Sequence, residues 1–109
     1  MSRPRVLSLV LKGEWYDLIE AGTKRQEYRD CSDYWTKRLE NWWRDDEVCY
    51  VEFRRGYGHD APRMAFVVYT RPEQAYYPLH DDWGEPTGLH FVIKLDHAVS
   101  RDEMEGGAE

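Results

Sequence analysis

The sequence predicts an α+β domain, a small mixed β-barrel of about five to six strands with two helices inserted in the N-terminal half. Three observations point there. Apolar residues alternate with a period of two in the segments beginning at Arg5, Glu47 and Gly88, as they do in strands with a buried face. Between the first two of these segments lie two stretches whose apolar residues recur at helical spacing. The last three strands follow one another without a helix, which disfavours a βαβ sheet, and a closed sheet leaves no open edge.

The first strand, Arg5 to Lys12, sets Leu7, Leu9 and Leu11 on one face. Gly13 ends it. Glu14 to Ala21 reads as a short helix with Trp15, Leu18 and Ile19 inward, and Gly22 stands where a left-handed cap needs no Cβ. Lys24 to Asp30 is a second, charged strand. Ser32 or Asp33 caps a second helix carrying Trp35, Leu39 and Trp42 at i, i+4 and i+7. Glu47 to Arg55 alternates Cys49, Val51 and Phe53 against Tyr50, Glu52 and Arg54. Gly56 to Pro62 is a turn, and Arg63 to Thr70 is a strand apolar on both faces. Pro72 to Thr87 reads as a long irregular loop bearing Tyr76, Tyr77 and Trp83. Gly88 to Val99 closes the domain with Leu89, Phe91, Ile93 and Leu95. Residues 1–99 are thus the domain, and residues 100–109 an acidic, disordered tail.

The charge of −6 is unevenly placed. Residues 1–56 hold 11 Lys/Arg and 11 Asp/Glu, whereas residues 57–109 hold 4 and 10. Bulk-charge coating of nucleic acid is therefore excluded, while a local basic groove in the first half is compatible with the sequence. No stretch is apolar for the roughly 20 residues a membrane span needs, and Val6 to Leu11 falls short of a secretory h-region. Cys31 and Cys49 form neither a disulfide framework nor a zinc pattern, so a reduced, cytoplasmic protein without membrane contact is expected. His80-Asp81-Asp82 lacks a second ligand cluster, so no metal and no cofactor are expected.

Chemistry concentrates in Gly22-Thr23-Lys24-Arg25-Gln26-Glu27-Tyr28-Arg29. Period two puts Arg25, Glu27 and Arg29 on one face and Lys24, Gln26 and Tyr28 on the other, with Glu27 within ion-pair reach of either arginine. On spacing alone this is a solvated edge strand, where charge discourages aggregation. Val6-Leu7-Ser8-Leu9, the helix from Trp15 to Ile19 and this segment together resemble the opening of the ASCH family. The family's G-x-K-x-x-E-x-R element is matched by Gly22, Lys24, Glu27 and Arg29. Tyr34-Trp35 with Arg38-Leu39, Phe53-Arg54 before Gly56-Tyr57, and Phe91 to Leu95 are similar to later parts of compact bacterial and phage-type members.

The resemblance implies a PUA-like barrel with a cleft beside the first helix, and RNA or a nucleotide-like small molecule as partner. Lys24, Glu27 and Arg29 would line that cleft, Tyr57 would supply a stacking face or hydroxyl, and Lys12, Arg54 and Arg38 are further candidates for phosphate contact. The alternative is a small hydrolase with Lys24 and Glu27 as its catalytic pair, an amidohydrolase on an acylated cytidine or a ribonuclease, the latter with His59 as proton carrier. Related amidohydrolases carry a threonine three residues after the lysine. Glu27 stands there instead, which removes that nucleophile. A third class is a protein-interaction module presenting Tyr76, Tyr77 and Trp83.

Overall fold

The computed structural model describes residues 5–77 and 88–105. In chain order the elements are β1 (Arg5–Leu11), α1 (Gly13–Glu20), β2 (Gln26–Asp30), α2 (Asp33–Trp42), β3 (Cys49–Arg55), β4 (Arg63–Val68), β5 (Glu73–Tyr77), β6 (Gly88–Lys94), β7 (Ala98–Val99) and α3 (Arg101–Met104). Among the described residues the strands form two sheets, one ordered β1-β3-β4-β7 and the other β2-β6-β5. The α+β class is as the sequence predicts.

Leu7, Leu9 and Leu11 of β1 and Cys49, Val51 and Phe53 of β3 are all buried, as their alternation requires. The two strands pair in parallel, Leu7 opposite Val51 and Leu9 opposite Phe53. A parallel pair needs a crossover, and α1, β2 and α2 together supply it. The second sheet brings Phe91 and Ile93 of β6 against the same core, with Glu27 opposite Ile93 and Arg29 opposite Phe91.

The helix ends are set by local chemistry. Gly22 has φ of +82°, and its N–H donates to Ile19 O while Thr23 N–H donates to Leu18 O, each at 3.0 Å. This pair of bonds is a Schellman motif, and a Cβ at Gly22 would strain it. Ser32 settles the start of α2, its hydroxyl accepting from Trp35 N–H at 3.2 Å.

Four sequence readings are corrected. The loop read from Pro72 onward contains β5, an edge strand antiparallel to β6. Glu73, Gln74 and Tyr76 face solvent and Ala75 is half-buried, so no apolar alternation announced it. The strand read from Gly88 to Val99 is two strands. Leu95 N–H bonds Arg25 O beside β2, but Asp96 N–H bonds Val67 O in β4, so the chain leaves one sheet for the other there. Residues 100–104 are not a disordered tail: Ser100 and Glu103 form a capping box, and Met104 is buried. Arg101 also lies 3.5 Å from Glu52 of β3. Finally, α1 buries Tyr16 and Ile19 rather than Trp15, because Tyr16 and Ile19 (i, i+3) are the pair turned to the sheets. Trp83 and His80-Asp81-Asp82 lie outside the described residues. No helix among the described residues is long and apolar enough to cross a membrane.

Candidate functional site

Three parts of the chain meet around one cleft of about 470 Å³. The end of β1 and the start of α1 contribute Val10, Leu11, Lys12 and Trp15. The middle of β2 contributes Glu27, Tyr28 and Arg29, and the turn after β3 contributes Gly56 and Tyr57. The juncture is held by backbone, since Gly56 N–H donates to Leu11 O at 2.9 Å. Gly56 adopts φ of +76°, which favours glycine and lets the turn double back beside β1.

Of the seven binding residues read from the sequence, Lys12, Glu27, Arg29 and Tyr57 line this cleft. Lys12 is exposed and stands at the N-cap of α1 without making a capping bond. Tyr57 is 85% exposed, so its ring is open to a ligand. Glu27 is buried, and Arg29 Nη2 lies 2.8 Å from its Oε2. That contact is an ion pair without hydrogen-bond alignment, and Arg29 Nε also makes no hydrogen bond among the described residues. The guanidinium instead rests on the Trp35 ring, its carbon 5.0 Å from the centroid.

Lys24, Arg54 and Arg38 are not among its lining residues. Lys24 is only 1% exposed, and its Nζ sits 4.4 Å from the centroid of the Tyr28 ring. It packs on Tyr28, which itself lines the cleft. The reason is position: Lys24 follows the Gly22 turn directly, and its N–H is still bonded to Leu18 O, so its side chain enters the interior beneath β2. Arg54 donates through Nη2 to Gly58 O at 2.5 Å, bracing the turn that carries Tyr57. His59 is exposed and is not among the cleft residues. Tyr76 is exposed on β5.

Trp15 and Tyr28 were not read as cleft residues. Helical spacing alone places Trp15 in the core, and period two places Tyr28 on the face opposite Glu27. Both Glu27 and Tyr28 are buried because β2 is covered on its two sides. The adjacency of Tyr16 and Ile19 as an alternative inward pair was the available signal for Trp15.

A clasp holds the rim. Arg55 grips Asp17 with Nε to Oδ1 at 3.0 Å and Nη2 to Oδ2 at 3.1 Å. The guanidinium lies so close to α1 that a Cβ at Gly13 would come within 2.6 Å of it. The hydrogen bond from Arg55 holds the Asp17 carboxyl below its ordinary pKa. A depressed carboxyl contributes stability above its unfolded pKa, about 3.9, and loses it as pH falls through the folded value. Wild type and Arg55→Ala should therefore differ in denaturation midpoint above about pH 5 and converge as pH falls through the depressed folded value. A difference that persists undiminished in acid would rule the clasp out as its source.

Among the described residues no group of three His, Cys, Asp or Glu could hold a metal ion. Comparison of the chain with protein-family models, with curated proteins and with solved structures gives no match.

Proposed function

We propose that the chain is an ASCH-type, PUA-like domain that binds single-stranded RNA or a nucleotide in the cleft between α1, β2 and the Gly56-Tyr57 turn. The observation that carries this reading is the gathering of three aromatic side chains, Trp15, Tyr28 and Tyr57, with Lys12 and Arg29 around one cavity. Unpaired bases are held by aromatic stacking and by hydrogen bonds to their edges, and phosphates by cations. The N-terminus of α1, which no side chain caps, lies beside Lys12, and a helix N-terminus favours an anion. Glu27 supplies an acceptor for a base-edge amino group. The passage of the chain between sheets at Leu95 to His97 supports the barrel part of the reading.

Tyr57 provides the clean test, because a side chain so exposed carries little stability. Tyr57→Ala should weaken RNA binding roughly tenfold, the worth of one stacked base, with the denaturation midpoint unchanged. Binding should also weaken steeply with added salt. Full affinity in both Tyr57→Ala and Lys12→Ala would move the ligand away from this cleft.

The hydrolase reading is favoured by one observation: Lys24 and Glu27 are charged, buried and adjacent to the cleft. It requires release of acetate from an acylated cytidine, or cleavage of RNA, that is lost in Glu27→Gln. Absence of turnover on both substrates removes it.

A further inference from the structure

The cleft does not end at Arg29. Arg38 of α2 places its guanidinium carbon 5.0 Å from the centroid of the same Trp35 ring, so one indole is flanked by two guanidinium groups. Arg38 also lies 5.9 Å from the ring of Tyr34, which is 61% exposed, and donates through Nη2 to Ser8 O of β1 at 2.9 Å. Beyond Arg38 a second depression of about 340 Å³ opens, lined by Arg5, Val6, Leu7, Arg38, Asn41 and Trp42. Arg5 is held across the end of α2, Nε donating to Trp42 O at 3.0 Å and Nη2 to Asn41 O at 2.6 Å. None of the residues lining this depression is acidic.

Both cavities therefore flank β1: Lys12 and Leu11 stand at one end, Arg5 at the other, and Arg38 bridges them at Ser8. At about 3.3 Å per residue the strand is roughly 20 Å long, which is several nucleotides rather than one. Along it lie the cations Lys12, Arg29, Arg38 and Arg5, with the exposed ring of Tyr57 near Lys12 and that of Tyr34 beside Arg38. That pairing of cations with exposed rings fits a chain that alternates phosphates with flat bases. An acidic peptide would use the cations and leave the rings idle.

We infer that the site takes an oligonucleotide strand, with one nucleotide in the cleft and its neighbours running over Trp35 and Arg38 into the Arg5 depression. This rests on the nucleic-acid reading of the cleft and extends it from a nucleotide pocket to a track. The decisive measurement is equilibrium binding of the four nucleoside 5′-monophosphates and of random-sequence RNA pools of two, four and six nucleotides, at several salt concentrations. Affinity should rise at least tenfold from monomer to hexamer, and the salt dependence should steepen by about 0.7 log units for each phosphate gained. Asn41→Glu adds a negative charge at an exposed position, so it tests the track without removing packing. It and Arg38→Gln should each weaken the hexamer about tenfold more than the monomer. Equal binding of monomer and hexamer overturns the track and leaves the cleft standing. No binding of either overturns both. Equal competition by an oligoglutamate of the same length would show a general anion surface and overturn the nucleic-acid track.

Discussion

Replacing Lys24 with alanine should destabilise the domain by about 2–4 kcal/mol, the range for emptying a buried long side chain. In a domain of this size that is a fall in Tm of roughly 10–15 °C. The expectation follows from the burial of Lys24, 1% exposed beneath Tyr28 with its ammonium over the ring. Lys24→Met keeps the methylenes and removes the charge, so the difference between the two variants separates packing from electrostatics. RNA affinity of folded Lys24→Met should drop less than that of Tyr57→Ala, because Lys24 is buried and is not among the residues lining the cleft. An unchanged Tm in Lys24→Ala would place the side chain in solvent. An affinity loss exceeding that of Tyr57→Ala would give Lys24 the direct ligand contact that the ASCH resemblance implies.

Arg29→Leu should show the second large effect, on stability and binding together. Glu27 is 6% exposed, and the guanidinium at 2.8 Å is part of what compensates its charge. Removing one member of a buried pair costs about 3–5 kcal/mol when burial is complete. The 22% exposure of the Arg29 side chain brings the expected cost to about 2–4 kcal/mol. Neutralising the partner should relieve much of it, so the Glu27→Gln/Arg29→Leu variant should be more stable than the two single losses predict when added, by about 1–3 kcal/mol. RNA affinity should not recover in the double variant, because the Arg29 cation at the cleft is still missing. Strict additivity in denaturant titrations would mean that the two side chains do not act as a pair. Recovery of binding in the double variant would show that Arg29 serves only to hold Glu27.

The pairing of these residues also shows why site and fold were unequally legible. A charged strand following a glycine turn marked the segment, and the contact between Glu27 and Arg29 follows from their separation of two. Which of the charges would face a cavity does not follow from spacing. Lys24, first in line by motif, is interior, and Arg54 is occupied by the turn at Gly58. Lys12 and Tyr57, singled out with less reason, stand at the cleft.

What the sequence by itself determined is local. The alternation of Leu7, Leu9 and Leu11 and of Cys49, Val51 and Phe53 made two strands and chose their inner faces. Gly22 with its left-handed φ ended α1, and Ser32 began α2, because each of these acts through bonds within a few residues. Only the tertiary structure decided the rest. Strand β5 exists because β6 offers it a partner, since its own side chains are mostly solvent-facing and polar. Trp15 borders a cleft because the turn at Gly56 folds back to Leu11. Trp35 lies between Arg29 and Arg38 because α2 sits against both β1 and β2. Periodicity ranks the faces of one element, and a site at the meeting of three elements depends on contacts that no single periodicity encodes.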